Sequence, residues 1–400
     1  MGKMEKVLSC LVIVGFLLSA ILGAVAASGN ETIPVAKTTT NLKSSIMSAE
    51  VSESSVTISN EYLTMYIYPD GDFTGTNAAG ECIFFPGATS DLTIKVGPNE
   101  YNIGGTLSNY RTKDTYINPN NDKEAITEWD LPAAEGPEEF FATAYHCVYE
   151  AELDGTQTIT RVISGTSYTL TASFLFGGHG VAMQGTGKTG PDGDYIHYDG
   201  GGGSFAHISN PEEFTDEVRQ RYTELGITDF TGFGNLALTH PEQAAYSVVS
   251  EVTGASGRTL VPWYSIAVDT SVISLGTTGT LLFKSGTAPD GATKIKFRAD
   301  DTGGGITGNH IDVYVGEGQA ALDQWVQTGG NRYVEAYRIH VEQHIKLEGD
   351  HVTFTVKVRN NENSDQDISV RYLWDTQLCD NDGSPLKAKG TLYTKEMCFL

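Results

Sequence analysis

The chain has 400 residues, of which 50 are acidic and 26 are basic, giving a formal net charge of −24. A charge of this sign and size repels nucleic acid and anionic lipid, so the composition excludes a nucleic-acid partner. Forty-five glycines and nineteen tyrosines, with abundant Thr, Val and Ile, favour turns and strands over helices. The sequence therefore predicts a mainly β protein that is large enough for about two or three units.

Residues 1–26 have the organisation of a secretory signal peptide. Lys3 and Lys6 form a positive start, an apolar run extends from Val7 to Leu22, and small residues follow up to a cleavage position after Ala26. A retained membrane anchor is the alternative, because the apolar run approaches the length that spans a bilayer. The favoured prediction is a secreted or cell-surface protein that has no membrane span after cleavage.

Apolar and polar residues alternate along several segments of the mature chain. This alternation predicts half-buried strands at 62–68 and 168–176, at 294–298, and in a meander over 334–375. Strands with one buried and one wet face predict antiparallel sheets packed as a β-sandwich or supersandwich. Helices are predicted only at Pro211–Leu225, behind the N-cap Asn210, and at Gly318–Gln327.

The segments in chain order suggest an interrupted sandwich. A flexible leader at 27–55 precedes the first part of the sandwich at 56–176. Residues 177–330 are expected to form an inserted β module with short helices and a glycine-rich surface loop at 177–203. Residues 331–400 are expected to complete the sandwich, and the end at Leu400 suggests a fragment or missing final strands.

Two motifs resemble functional sites but fail on geometry. Ala182–Thr189 approximates a phosphate-binding loop, but the residues that follow cannot form the helix that such a loop requires. A nucleotide ligand is therefore excluded. His340 and His344 flank Glu342 as in some zinc sites, yet on a strand residues four apart are separated by roughly 13 Å. Cross-strand charge pairing is the favoured interpretation of these residues.

Several histidines and aspartates occur around the glycine-rich loop. A metal or general-base site is the alternative to solvated loop residues there. The members are His146, His179, His197, His207, Asp192, Asp194 and Asp199. No nucleophile elbow occurs in the sequence, so no catalytic residue and no cofactor-binding residue is predicted.

The strongest candidate ligands lie near the end of the chain. Asp375, Asp380 and Asp382 precede Gly383 and offer oxygen ligands of the kind that calcium prefers. The alternative is a turn stabilised by its own backbone. Calcium is the only cofactor expected.

Four cysteines remain after signal cleavage, enough for two disulfides, and three pairings stay open. They are Cys82, Cys147, Cys379 and Cys398.

Three runs carry resemblances to known proteins. VRYLWDTQLCDNDGSP resembles a segment of uncharacterised secreted or surface proteins of archaea and bacteria. ISNEYLTMYIYPDGDFTG resembles the opening strand of galactose-mutarotase-like sandwiches, and DDTGGGITGNHIDVYV (Asp300–Val315) is similar to a hairpin of phage and surface β-modules. These resemblances imply a supersandwich displayed at the cell surface, and they imply no activity.

The leading hypothesis is a non-enzymatic exported β-sandwich protein with a structural, adhesive or ligand-binding role. Its expected partners are cell-surface components or carbohydrate. The alternative is an extracellular carbohydrate-active enzyme or sugar-binding domain, which would need side chains converging in a cleft. A third hypothesis is one domain of a larger surface-layer or repeat-bearing protein.

Overall fold

A computed structural model describes residues 8–15, 55–68, 73–80, 82–84, 91–102, 111–374, 386–388, 391–393 and 397–399. The strands in chain order are β1 Leu8–Gly15, β2 Val56–Ser59, β3 Leu63–Ile67, β4 Phe73–Asn77, β5 Cys82–Phe84, β6 Asp91–Val96, β7 Asn99–Asn102, β8 Arg111–Ile117, β9 Glu124–Leu131, β10 Glu138–Tyr149, β11 Thr158–Ile163, β12 Thr166–Thr171, β13 Thr186–Lys188, β14 Tyr195–Gly200, β15 Phe205–His207, β16 Leu236–Leu238, β17 Ala245–Val249, β18 Ser265–Val268, β19 Thr278–Phe283, β20 Lys294–Asp301, β21 His310–Glu317, β22 Arg332–Tyr337, β23 Ile339–Glu348, β24 His351–Asn360, β25 Ile368–Trp374, β26 Leu386–Ala388, β27 Thr391–Tyr393 and β28 Met397–Phe399. The α-helices are α1 Ala172–Phe176, α2 Val181–Gln184, α3 Asp216–Glu224 and α4 Gly318–Gln327, and a 3₁₀ turn spans Glu150–Glu152.

The chain divides into two compact units. Unit 1 comprises residues 1–135, 339–360 and 365–400, and unit 2 comprises 136–338 and 361–364. No helix in the described part of the chain is long and apolar enough to cross a membrane.

Unit 1 consists of antiparallel sheets. The largest has the strand order β1-β24-β23-β9-β8, and two four-stranded sheets have the orders β2-β3-β4-β5 and β28-β25-β6-β7. Alternate residues of β3 and β23 are buried in one apolar core, as the period-two pattern predicts. β1 lies within the predicted signal peptide, so cleavage after Ala26 would remove it from the sheet edge.

Unit 2 contains a closed barrel of six strands. The order is β10-β21-β18-β20-β19-β22, and the circle closes because β22 also pairs with β10. Two of the six pairs, β10–β21 and β18–β20, are parallel, while the others are antiparallel. The interior is filled by apolar side chains from all six strands, for example Phe140, Phe297 and Val334. Closure removes the exposed strand edges that an open sheet would have.

The prediction of a mainly β protein is confirmed, but the antiparallel sandwich or supersandwich is wrong. A sandwich has two separate sheets, whereas these six strands form one circle with two parallel contacts. The alternation of side chains identifies strands without identifying their partners. Residues 142 and 311, which pair in β10 and β21, are far apart in the sequence, so local patterns carry no signal for their contact.

Residues between β10 and β18 form a second, separately packed core of unit 2. The predicted surface loop at 177–203 is instead ordered: it contains α2, β13 and β14, and Val181 and Ile196 are completely buried. The predicted strand at 168–176 is a strand only up to Thr171, and a helix follows it. In that helix Phe174, Leu175 and Phe176 are all buried. Alternate burial therefore does not hold there.

The two predicted helices differ in accuracy. Gly318–Gln327 is confirmed as α4. The other helix begins later than predicted, at Asp216, because the Thr215 side chain caps it by accepting from the Val218 amide. Asn210 instead accepts from the Glu212 amide in a separate turn.

Candidate active site on the barrel wall

A row of paired residues crosses four barrel strands and faces away from the barrel core. Ile311 and Val313 point into the core, so Asp312 between them points outward, as does Ala267 between Ile266 and Val268. The row runs, through direct pairings, Asp301–Ala267–Asp312–Thr143. Because Ala267 has only a methyl group, space remains between the two aspartates that flank it.

Asp312 is a largely buried carboxyl group with two polar neighbours. The Thr143 hydroxyl donates to its Oδ1, and the His310 Nε2 lies 3.4 Å from the same oxygen. Thr143 Oγ1 and His310 Nε2 are themselves 2.9 Å apart. Burial raises the pKa of Asp312 above its ordinary value, and the nearby His310 opposes that rise. Asp312 is thus suited to hold a proton and deliver it.

Asp301 is held by three hydrogen-bond donors. Its Oδ1 accepts from the backbone amides of Ala255 and Thr302, each at 2.9 Å, and its Oδ2 accepts from the Tyr145 hydroxyl at 3.2 Å. Burial, together with the charge of Asp301, raises the pKa of Tyr145 well above its ordinary value. Tyr145 therefore stays a neutral donor, and Asp301 keeps a fixed orientation.

A third aspartate anchors the loop that connects β20 to β21. Asp269, directly after β18, accepts at Oδ2 from the Gly308 amide at 2.8 Å. Gly308 has φ of +60°, a conformation that glycine adopts without strain. This backbone bond, with further bonds from Ser271, lowers the pKa of Asp269. The loop that carries Asp301 into Asp312 is thereby tied to the end of β18.

Next to Asp301, the buried Asp300 forms an ion pair within the barrel wall. Asp300 is completely buried, and its Oδ1 accepts from Arg298 Nε at 2.6 Å. Its Oδ2 accepts from the Ser265 hydroxyl, also at 2.6 Å. Both oxygens are thus occupied within the protein, so Asp300 positions its neighbour Asp301 and does not itself face the pocket.

Asp301, Asp312 and Tyr145 line one pocket of about 370 Å³. The opposite wall comes from the segment between β10 and β18: residues 182–186, His197 and residues 252–255. Apolar surface from Leu260 and Ile306 adjoins the carboxylates. A concave, partly apolar site with a few convergent polar groups is the usual form of a small-molecule or glycan subsite.

The predicted site residues are dispersed. Among the four histidines considered, His197 lines the pocket, with its Nδ1 2.9 Å from Thr186 Oγ1. His146 is buried, which lowers its pKa, whereas His179 and His207 are exposed.

The three aspartates near the glycine-rich loop have local roles. Asp192 is exposed, Asp194 accepts from the Tyr168 hydroxyl, and Asp199 accepts from Ser247. None of the three is a lining residue of the pocket.

The calcium ligands predicted at Asp375, Asp380 and Asp382 lie outside the described residues. Of the cysteines, Cys147 is a free thiol buried in β10, and burial raises its pKa to about 12. A thiol in that state is neither a nucleophile nor an easy disulfide partner. The side chains of the other three mature cysteines are not among those that the structure describes.

A second polar cluster lies in unit 1, on β23. His340 and His344 both contact Glu342, at 3.3 and 2.8 Å, and Lys357 lies 3.7 Å from it on β24. Although burial opposes it, hydrogen bonds to Asp130 and Glu342 raise the pKa of His340 to about 9. The cross-strand charge pairing predicted for this face is present.

Most of the barrel lies in a segment that matches a known protein domain. Residues 264–340 match the model of the 3D domain. This segment contains five of the six barrel strands and all three aspartates at 269, 301 and 312. No curated protein matches the chain.

Several solved structures show a distant similarity to the chain. Escherichia coli MltA with bound chitohexaose is 19% identical, with 55% of this chain and 76% of that chain covered and a TM-score of 0.32. MltA from Neisseria gonorrhoeae is 14% identical, with 60% and 78% covered and a TM-score of 0.32. A membrane-bound lytic murein transglycosylase from Agrobacterium tumefaciens is 15% identical, with 58% and 76% covered and a TM-score of 0.33.

These findings correct three expectations. The 3D domain match and the closed barrel replace the resemblance to galactose-mutarotase-like sandwiches. Asp300–Val315, interpreted as a hairpin of phage and surface modules, belongs to the 3D domain segment. The hypothesis of a non-enzymatic structural or adhesive protein is wrong, and its alternative, a carbohydrate-active enzyme, is the one developed under Proposed function.

Proposed function

We propose that this protein is an exported enzyme that cleaves a polysaccharide, with Asp312 as the general acid. The observation that carries the proposal is the carboxyl group of Asp312: burial raises its pKa, and it faces a pocket that it shares with Asp301. Cleavage of a glycosidic bond requires an acid that keeps its proton to a higher pH than an ordinary aspartate does, and a raised pKa has that effect.

The reaction divides between the two aspartates. Asp312 would donate its proton to the glycosidic oxygen of a bound sugar, so that the bond to the anomeric carbon can break. Asp301, fixed by three donors, lies two strands away, roughly 10 Å between backbones at the usual spacing of sheet strands. Its negative charge would stabilise the positive charge that develops on the sugar ring. A hydroxyl group, from water or from the sugar itself, would then form a new bond to the anomeric carbon. Its proton would pass to the Asp312 carboxylate, which regenerates the acid.

His310 and Thr143 would hold the acid in position. Both contact Oδ1 of Asp312, which leaves Oδ2 as the oxygen that can face the substrate. The methyl group of Ala267 would form the floor beneath the sugar ring.

Peptidoglycan is the glycan to test first. The similar structures are described as lytic transglycosylases, and one of them holds chitohexaose. These descriptions decide only the choice of substrate. A predicted signal peptide agrees with a substrate outside the cytoplasm.

The experiment measures soluble glycan released from purified peptidoglycan by the full chain, with chitin oligosaccharides in parallel. Asp312→Asn should lower the rate by about 100-fold to 10,000-fold, the usual contribution of a general acid. Asp323→Asn is the control, because Asp323 is an exposed aspartate on α4 of the same unit. A wild-type protein that cleaves neither glycan, or an Asp312→Asn protein with unchanged rate, would overturn the proposal.

A further inference from the structure

The largest sheet of unit 1 carries a compact group of potential metal ligands outside the barrel. Glu128 lies on β9, and His340 and Glu342 lie on the outward face of β23. One ligand atom from each of the three residues lies within 4.8 Å of the other two. All three side chains are partly exposed, so an ion could reach them from solvent.

The pairing of the strands places two negative charges directly opposite each other. Glu342 pairs with Glu128 across β23 and β9, and like charges in that position destabilise a sheet. On the other side Glu342 pairs with Lys357, whose Nζ is 3.7 Å from Oε2. His340 also contacts Glu342, at 3.3 Å. A divalent cation bound between Glu128 and Glu342 would be attracted to both carboxylates.

The imidazole of His340 has the orientation that metal sites need. Its Nδ1 lies 2.9 Å from Oδ1 of the buried Asp130, and its Nε2 lies 3.3 Å from Oε1 of Glu342. In metal sites a ligating histidine usually donates one ring N–H to a carboxylate, which fixes the ring and leaves the other nitrogen for the ion. Asp130 has that place here.

The carboxylates are held by similar supports. The Tyr116 hydroxyl donates to Oε1 of Glu128 at 2.7 Å. His344 Nε2 lies 2.8 Å from Oε2 of Glu342, while its Nδ1 lies 2.7 Å from Glu124. Each ligand therefore has a neighbour that orients it before any ion binds, and this lowers the cost of ordering the site.

We propose that Glu128, His340 and Glu342 bind a divalent cation of the zinc type, with Asp130, Tyr116 and His344 as supporting residues. One nitrogen and two carboxylate oxygens form a three-ligand set that suits tetrahedral zinc with a fourth, open position. Calcium requires six to eight oxygens and magnesium an octahedron of oxygens, so both fit the set poorly. The site belongs to unit 1 and is separate from the glycan-cleaving proposal for unit 2.

The sequence spacing excludes the helical motif that His340 and His344 resemble, but it does not exclude this site. The site uses only one of the two histidines and takes its second carboxylate from the neighbouring strand. In the rival arrangement no metal binds, and a proton on His340 bridges Asp130 and Glu342. A bound ion would displace that proton, so binding should weaken as the pH falls.

The experiment titrates the metal-stripped full chain with Zn²⁺ by calorimetry near pH 7, and repeats the titration with Co²⁺ while recording visible absorption. We expect one zinc per chain at this site, displacement of Co²⁺ by Zn²⁺, and no competition from equimolar Mg²⁺ or Ca²⁺. His340→Gln and Glu128→Gln should each weaken zinc binding by at least about 10-fold, and Asp130→Asn by about 10-fold to 100-fold.

His351→Gln is the matched control, because His351 is a partly exposed histidine beside Asp350 on the same sheet. It should bind zinc as the wild type does. Circular dichroism establishes whether each variant is folded. If His340→Gln does not fold, Glu128→Gln provides the test. The proposal is overturned if the wild type binds no zinc, or if folded His340→Gln or Glu128→Gln protein binds it as tightly as His351→Gln.

Discussion

Replacing Gly187 by alanine tests whether the glycine-rich segment of unit 2 is packed or is a solvated loop. Gly187 lies buried in β13, and an added Cβ would approach Phe174 Cε2 and Val181 Cγ2 to 2.7 Å each. Overpacking of this kind costs about 1–3 kcal/mol. Restriction of the unfolded chain by alanine offsets about 0.4–1 kcal/mol.

At the middle of these ranges the net loss of unfolding free energy is about 1.3 kcal/mol. For a unit of this size that corresponds to a decrease in melting temperature of about 3–5 °C. The assay is calorimetry of the full chain, and the control is Gly190→Ala, because nothing lies within 4 Å of a Cβ at Gly190. If Gly187→Ala melts at or above the temperature of Gly190→Ala, Gly187 is not tightly packed.

Four further predictions concern charges and the buried thiol. The rate of glycan cleavage should fall as the pH rises through the raised pKa of Asp312. The alkaline limb of the pH–rate profile should therefore lie above the ordinary aspartate range, and a limb near pH 4 would contradict this. Because burial favours the protonated form of Asp312, the asparagine variant should be at least as stable as the wild type at pH 7 in thermal melts. Arg338→Leu should lower the free energy of unfolding, measured with denaturant, by about 3–5 kcal/mol. The reason is that the buried carboxylate of Glu362, 2.6 Å from Arg338, loses its arginine. Lys284→Leu, at a solvent-exposed ion pair, is the control and should cost less than about 1 kcal/mol. Cys147 should resist alkylation at pH 8 in the native chain and react after unfolding, as measured by peptide mass spectrometry; rapid native labelling would show that the thiol is not buried.

The sequence predicts a strand correctly where only one face of that strand packs against the core. Leu63, Met65 and Ile67 alternate with less buried neighbours, and the strand appears where the pattern predicts it. The β23–β24 hairpin follows the same rule. Phe174 and Phe176 mislead because the whole segment is buried, so spacing no longer distinguishes a strand from a helix.

The candidate active site could not be assembled from local patterns, because its residues come from distant strands. Thr143 and Tyr145 meet Asp312 and Asp301 only through parallel pairing of β10 with β21 and the circular strand order. The run from Asp300 to Val315 contains both aspartates and stands out by its glycines. Its carboxylates acquire meaning only when barrel closure and burial give them different surroundings. The histidines, which are the more usual sign of a site, are mostly dispersed.

In the proposed reaction Asp312 delivers the proton that breaks a glycosidic bond. The most direct measurement compares initial rates of glycan release from purified peptidoglycan by wild-type and Asp312→Asn protein at equal concentrations of folded enzyme. We predict a rate ratio of at least about 100. A ratio close to one, with wild-type activity present, would show that the general acid is a residue other than Asp312.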